Sequence, residues 1–282
     1  MAFIKELLRP IFGSLLSSER TNIRNYKILT ELMYKERLAS VKNQFAKNYA
    51  RNYFSQTDED GITLEIIKRV GISKESTFLE LGVGDGLENN SLVLLSMNWR
   101  GSWFGGEELA FDYNNHSRLK FEKIWIDKDN IKKIYRDSLF HHNVTQHDVI
   151  SIDLDGNDLD ITEELFNEGA LPKLFICEYN GIFPTGANWR MEYNASHKWD
   201  GDQLYGASLK AFSDFFETKN YFLCACNPQT GTNAFFVDKK YRNLFPDVPH
   251  NINDIYAEPC YWVDNKFKHE ITPKFIKSII DR

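Results

Sequence analysis

Five residues of strand character, Thr77-Phe-Leu-Glu-Leu81, run without a break into Gly82-Val-Gly84-Asp-Gly86. Glycines at spacing two allow a tight strand-to-helix turn whose backbone can approach a ligand closely. Short apolar runs recur beyond this point, at 102–104, 123–126, 148–154, 174–177, 221–226 and 233–237, separated by helical or glycine-rich segments. Ile62, Ile66, Ile67 and Val70 precede the first run at helical spacing, and a helix over 89–98 is expected after the glycine loop. This alternation predicts an α/β fold. Asn227-Pro-Gln-Thr-Gly-Thr232 is a turn-rich linker short enough to pair the last two runs antiparallel, so the sheet is expected to be mostly parallel with an antiparallel edge.

The 282 residues are 42% hydrophobic, enough for a sizeable core. Lys and Arg number 34 against 40 Asp and Glu, a net charge of −6 that argues against a phosphate-backbone partner, so no nucleic acid is expected. Cys177, Cys224, Cys226 and Cys260 form no CxxC pair, which argues against a disulfide or zinc framework. Lys5, Glu6 and Arg9 interrupt the apolar N-terminus, and no run approaches the roughly 18 apolar residues of a membrane span. A cytoplasmic setting is the expectation. Leu7, Leu8, Ile11, Leu15 and Leu16, then Leu29, Leu32, Met33 and Leu38, predict two or three helices before residue 50, with Pro10 and Gly13 breaking the first. A helical cap is preferred there over a membrane-surface or partner helix. The division expected is 1–53 as a helical extension, 54–245 as the main domain with a loop at 181–207, and 246–282 as a C-terminal extension.

The residues around the glycines point to a ligand class. The Gly82, Gly84 and Gly86 loop is shared by dinucleotide-binding folds and S-adenosylmethionine (SAM) enzymes, and a bare structural turn is the bland alternative. Glu80 suits the ammonium of a methionine moiety better than a pyrophosphate, and Asp85 adds a second negative charge, which favours SAM over NAD. A ribose is expected to meet an acid after the second strand. Here Gly105 and Gly106 intervene, leaving Glu107 first and Glu108 second.

A second acidic cluster closes the strand at 149: Asp153-Leu-Asp155-Gly-Asn157-Asp158. Asp153 and Asp155 share a face if the strand continues. Glu178-Tyr-Asn180 brings another carboxylate and amide to the same rim, where open α/β sheets bind ligands. One reading is a hard cation such as Mg held by Asp155, Glu178 and either Asp153 or Asn180. The other is a metal-free site for sugar hydroxyls. A dedicated calcium loop is discounted, because the downstream Glu is missing. The aperiodic segment 181–207 carries Trp189, Tyr193, Trp199 and Tyr205 for stacking and Arg190, His197 and Asp200 for polar contacts. His197 is the candidate general base, with Asp153 and Asp155 beside it in the catalytic set, while His141, His142 and His147 read as structural. Asp158, Tyr179, Arg190, Trp199 and Asp200 are expected to meet the substrate.

These stretches, with Ser55-Gln-Thr-Asp-Glu-Asp60-Gly61-Ile62, Trp199-Asp-Gly201, Gly206-Ala-Ser208 and Asn233-Ala-Phe-Phe236, carry a resemblance. Over about 54–238 the chain resembles SAM-dependent methyltransferases of the FkbM-like kind, more closely a bacterial group found in surface-polysaccharide contexts. The resemblance implies a Rossmann-like class I methyltransferase sheet. It implies that Glu80, Gly82, Gly84 and Asp85 cradle SAM, and that Asp153, Asp155 and Asp158 line the transfer cleft. Related chains commonly place an acid where this one has Gly105, so Glu107 would reach the ribose from two positions later. Some sugar O-methyltransferases bind Mg through acids after the fourth and fifth strands, which Asp155 and Glu178 match. The activity expected is O-methyl transfer to a hydroxyl of a sugar, nucleotide-sugar or glycan precursor. The rivals are a non-catalytic binding or assembly protein and a metal-dependent, non-methylating glycan enzyme. A homo-oligomer is left open.

Overall fold

The computed structural model describes residues 2–73, 75–113, 116–261 and 272–281, with the side chains of 2–20 outside that description. In chain order come α1 (Ala2–Ser40), α2 (Gln44–Tyr49), α3 (Glu59–Val70), β1 (Thr77–Leu81), α4 (Leu92–Ser96), β2 (Arg100–Gly105), β3 (Leu119–Lys123) and α5 (Ile131–His142). They are followed by β4 (Val149–Ile152), α6 (Asp158–Asn167), β5 (Leu174–Glu178), α7 (Leu209–Thr218), β6 (Tyr221–Cys226), β7 (Asn233–Asp238), α8 (Ile252–Ile255) and α9 (Pro273–Ile280).

The strands form one seven-stranded sheet in the order β3-β2-β1-β4-β5-β7-β6. Only β7 runs antiparallel to its neighbours, with β6 outside it at the edge. The fold is therefore Rossmann-like α/β with an N-terminal helical extension. β1 and β4 are buried at every residue, as strands of a parallel sheet covered on both faces must be. One face packs aromatic rings: Phe175 of β5 and Phe236 of β7 meet Phe216 of α7, and the Phe216 and Phe236 rings stack at 4.0 Å. Phe166 of α6 joins them. The opposite face of β7 looks toward α3, since Asn233 donates to Glu59 there.

Strand order reverses between β1 and β4, because the chain first builds outward through β2 and β3 and then returns. A crevice opens outside the carboxyl ends of the strands at such a switch point. It is the place where the fold gathers the chemistry-bearing residues.

Four local expectations change. α1 is one continuous helix through Pro10 and Gly13; the strong helix formers around them outweigh two weak positions. Its residues 21–29 are exposed, and it anchors further along, where the Tyr34 hydroxyl donates to Asp58 at 2.9 Å and Arg37 donates to the Pro228 and Glu258 carbonyls. The third strand lies at Leu119–Lys123 instead of 123–126. As an edge strand it alternates buried Leu119 with charged Lys120 and Glu122, a pattern that a search for apolar runs misses. The strand at 148–154 shortens to Val149–Ile152, and the helix at 89–98 shortens to Leu92–Ser96, because residues 89–91 are drawn into contacts with Glu80. Among the described residues no helix is long and apolar enough to cross a membrane.

Candidate active site

The glycine loop and the acidic turn touch backbone to backbone. Gly82 has φ +87°, and a Cβ built there would stand 1.5 Å from the Asp153 carbonyl oxygen. Gly82 N–H donates to Phe104 O at 2.8 Å and Asp153 N–H to Leu81 O at 3.0 Å, so the exits of β1, β2 and β4 converge. Gly84, at φ +51°, presents its α-carbon to open space, with nothing within 4 Å of a Cβ. Asp85 is exposed, and its carboxylate accepts from Leu87 N–H at 3.0 Å. Gly86 lies under Leu109 and Phe111.

Glu80 does not face the crevice as the sequence suggests. It is buried, and its two oxygens accept from Asn90 N–H at 2.8 Å, from Ser91 N–H at 3.1 Å and from the Ser91 hydroxyl, which also receives the Trp103 indole N–H at 2.8 Å. Burial raises its pKa while these donors oppose the rise. A short acidic side chain behind a glycine loop satisfies the loop's own N–H groups before it can reach a ligand. Gly105 has a packing reason as well, because a Cβ there would come within 3.0 Å of Val83 N. Glu107 is exposed, and after desolvation its charge is the largest influence raising the Asp155 pKa. Glu108 turns away to pair with Lys123 at 2.9 Å.

Carboxylate oxygens of Asp153, Asp155 and Glu178 lie within 4.8 Å of one another. Asp155 adopts φ +53°, which swings the chain around this point. Burial, then the charge of neighbouring acids, drives the Asp153 and Glu178 pKa values well above the usual carboxylate range. Glu178 Oε2 is buried without a hydrogen-bond partner. Asp158 and Asn180, by contrast, are spent on the scaffold. Asp158 accepts from Leu154 N–H at 2.7 Å and Gly156 N–H at 3.0 Å, so it builds the turn instead of meeting a substrate. Asn180 donates to the Gln203 and Tyr205 carbonyls at 3.0 Å each and accepts from Ile182 N–H at 3.3 Å, so its amide ties segment 181–207 to the end of β5.

Segment 181–207 folds across the rim. Asn157 donates to Asn194 O at 2.8 Å, Trp125 to Ala195 O at 2.7 Å, and Lys128 N–H to the Tyr193 hydroxyl at 3.0 Å. This docking sets the His197 ring against Gly156, where a Cβ would stand 2.3 Å from its Cδ2. His197 Nε2 is buried without a hydrogen-bond partner. The structure thus brings Asp153, Asp155 and Glu178 together, with His197 packed beside them on Gly156.

It does not bring the other expected substrate residues to them. Arg190 is taken by Asp160 and Glu163 of α6, each at 2.7 Å. Trp199 and Asp200 sit on an exposed turn, closed by Trp199 Nε1 to Asp202 O at 2.8 Å and Asp202 N–H to the Asp200 carboxylate at 3.3 Å. Trp189 stacks on Phe183, and Tyr179 is in the core, its hydroxyl donating to Ala257 O at 3.1 Å. Contacts between distant segments decide these fates, and residue type does not reveal them. Tyr261 and Asn233 escape the sequence reading, while Tyr205, expected to stack, takes a hydrogen-bonding place beside Tyr261. The Tyr205 and Tyr261 hydroxyls meet at 2.9 Å, with pKa values raised first by burial and also by the charge of Glu178. Asn233 stands opposite Glu178 in the β5–β7 register, a pairing that only the antiparallel sheet creates.

No protein-family model matches the chain, and no curated protein matches it. Among solved structures it matches a MycE methyltransferase from the mycinamycin biosynthetic pathway in complex with Mg, SAH and mycinamycin VI, at 14% identity and a TM-score of 0.30. That match covers 49% of this chain and 34% of the other.

Proposed function

We propose that this chain is a SAM-dependent O-methyltransferase acting on a hydroxyl of a sugar, nucleotide-sugar or glycan precursor, with residues 54–245 as the catalytic unit. One observation carries the reading: the switch-point crevice joins an open glycine loop at Gly84 to three carboxylates within 4.8 Å and to His197. The motif resemblance to FkbM-like methyltransferases supports it.

The Gly82–Gly86 backbone fits a cofactor that must come close to the main chain, and Glu107 is free to accept from its ribose hydroxyls. Asp85 is the exposed acid left for the methionine ammonium once Glu80 is committed to the loop. SAM held there would supply an electrophilic methyl group for in-line transfer to an acceptor hydroxyl, its sulfonium leaving as a neutral thioether. The hydroxyl proton goes to His197 Nε2, oriented by its packing on Gly156 and backed by Asp155. Asp153, Asp155 and Glu178 fit a divalent cation, because oxygens within 4.8 Å can surround an ion bound at about 2.0–2.1 Å. A cation there would supply a lowered hydroxyl pKa at the acceptor.

The test is calorimetric titration of ligand-free protein with SAM, with Mg and then with excess chelator. Micromolar binding is expected, weakened by Glu107→Ala. No binding by the folded protein in either condition overturns the reading and favours a non-catalytic binding protein.

A further inference from the structure

We infer that Asn233, oriented by Glu59, is a fourth oxygen donor to the Asp153, Asp155 and Glu178 site, contributing a neutral amide oxygen beside three carboxylates. The inference rests on the cation reading of that site.

Asn233 opens β7 directly opposite Glu178 at the end of β5. Directly opposed residues of an antiparallel pair share a face, with Cβ atoms about 4.5–5.5 Å apart. Two contacts fix which face. Phe236, three residues on, stacks on Phe216 of α7, so Asn233 points the other way. Its Nδ2 then reaches Glu59 Oε1 of α3 at 3.3 Å.

The acceptor at Glu59 also decides which end of the amide turns toward it. Glu59 Oε1 already accepts from the Thr57 hydroxyl at 2.6 Å and from Asn227 Nδ2 at 3.0 Å. A carboxylate oxygen surrounded by donors takes the NH2 end of a further amide as a third donor and repels its oxygen. Asn233 Oδ1 is therefore turned away from Glu59. It is buried without a hydrogen-bond partner, and so is Oε2 of the directly opposed Glu178.

Buried acceptors are normally satisfied, and two unsatisfied ones on opposed residues call for an electron-poor ligand. The neighbouring Tyr205 and Tyr261 hydroxyls are bonded to each other. Hard divalent cations take mixed sets of carboxylate and amide oxygens, which is the set this corner assembles. Glu59 does not touch the ion in this arrangement. It is a positioning residue that holds the amide in the ligating orientation.

Mn2+ is the probe, titrated into the full chain while the electron paramagnetic resonance signal of free Mn2+ is followed, with a thermal unfolding curve in chelator for each variant. The parent binds one Mn2+, and Glu178→Gln abolishes binding. Asn233→Ser shortens the side chain and withdraws the amide oxygen from the site, and it weakens Mn2+ by roughly tenfold or more while the metal-free unfolding midpoint stays near the parent's. Asn233→Asp, which restores an oxygen, recovers binding. Glu59→Gln lets the amide turn and weakens Mn2+ in the same direction. Parent-like Mn2+ affinity in Asn233→Ser, with Glu178→Gln inactive in binding, overturns the role of Asn233 and leaves the carboxylate site standing. Absence of Mn2+ binding by the parent overturns the cation reading and this inference together.

Discussion

Gly82 and Gly84 sit two residues apart in the same motif and do different work. Both have positive φ, yet a side chain at Gly82 would collide with the Asp153 carbonyl while one at Gly84 would enter open space. Gly82→Ala forces β1 and β4 apart and is expected to cost about 3 kcal/mol or more, the range of severe backbone strain and clash. Gly84→Ala is expected to cost about 1–2 kcal/mol, the left-handed penalty alone. Chemical denaturation of the two variants beside the parent checks this ordering. Similar costs would show that the loop is not held against Asp153. Glu80 teaches the same lesson for a charge. Its place before the glycines is legible in the chain, but its hydrogen-bond partners at 90 and 91 are settled only when α4 begins late.

At the level of elements, the strongest packing lies where β7 inserts between β5 and β6 against α7. Phe236 stacks on Phe216, which also meets Phe175 and Tyr221, and all four are buried. Phe216→Ala is expected to destabilise by about 3–5 kcal/mol, as large-to-small changes in a dense core do. α1 is the counterexample, since Leu29 and Leu32 are 57% and 58% exposed. Leu32→Ser is expected to change stability by no more than about 0.5 kcal/mol. Urea midpoints for the two variants measure both ends of this contrast, and a large loss in Leu32→Ser would reveal a covered face on α1.

For the whole molecule, buried titratable groups of opposite kinds set the pH dependence of stability. Burial, then the charge of Glu59, pushes Asp58 up to about 7, and burial pushes Asp60 and Asp158 up to about 6. A raised carboxyl stabilises the fold fully below its unfolded pKa of 3.8, and that contribution is lost as pH rises through 6 and 7. His142 and His147 lie in a buried network with Ser102, Ser138 and Thr77, and burial lowers them to about 4 and about 3. A lowered histidine stabilises fully above 6.5, and that contribution is lost as pH falls through 4 and 3. The two sets oppose each other, and because the three carboxyls outweigh the two histidines the unfolding midpoint is expected to be highest near about pH 4 and to decline as pH rises. Asp58→Asn should flatten the decline above pH 6, read by calorimetric scans from pH 4 to 9. An unchanged decline would show that Asp58 is not protonated in the folded state.

The α/β class, the glycine loop after β1 and the acids at the ends of β4 and β5 were legible in the chain, because strand periodicity, glycine spacing and charge at strand ends are local properties. The grouping of Asp153, Asp155 and Glu178 was legible too, but which neighbouring groups stay out of it was not. Asp158 shares the motif with Asp153 but satisfies backbone groups of its own turn, Asn180 follows Glu178 but binds the carbonyls of Gln203 and Tyr205, and Arg190 is captured by α6. Asn233, 55 positions from Glu178 in sequence, becomes its neighbour only through the antiparallel register of β7. Local chemistry determined what the rim carries, and tertiary structure decided which of those groups are free to act, since a polar group serves a ligand only after the backbone's own hydrogen bonds are met.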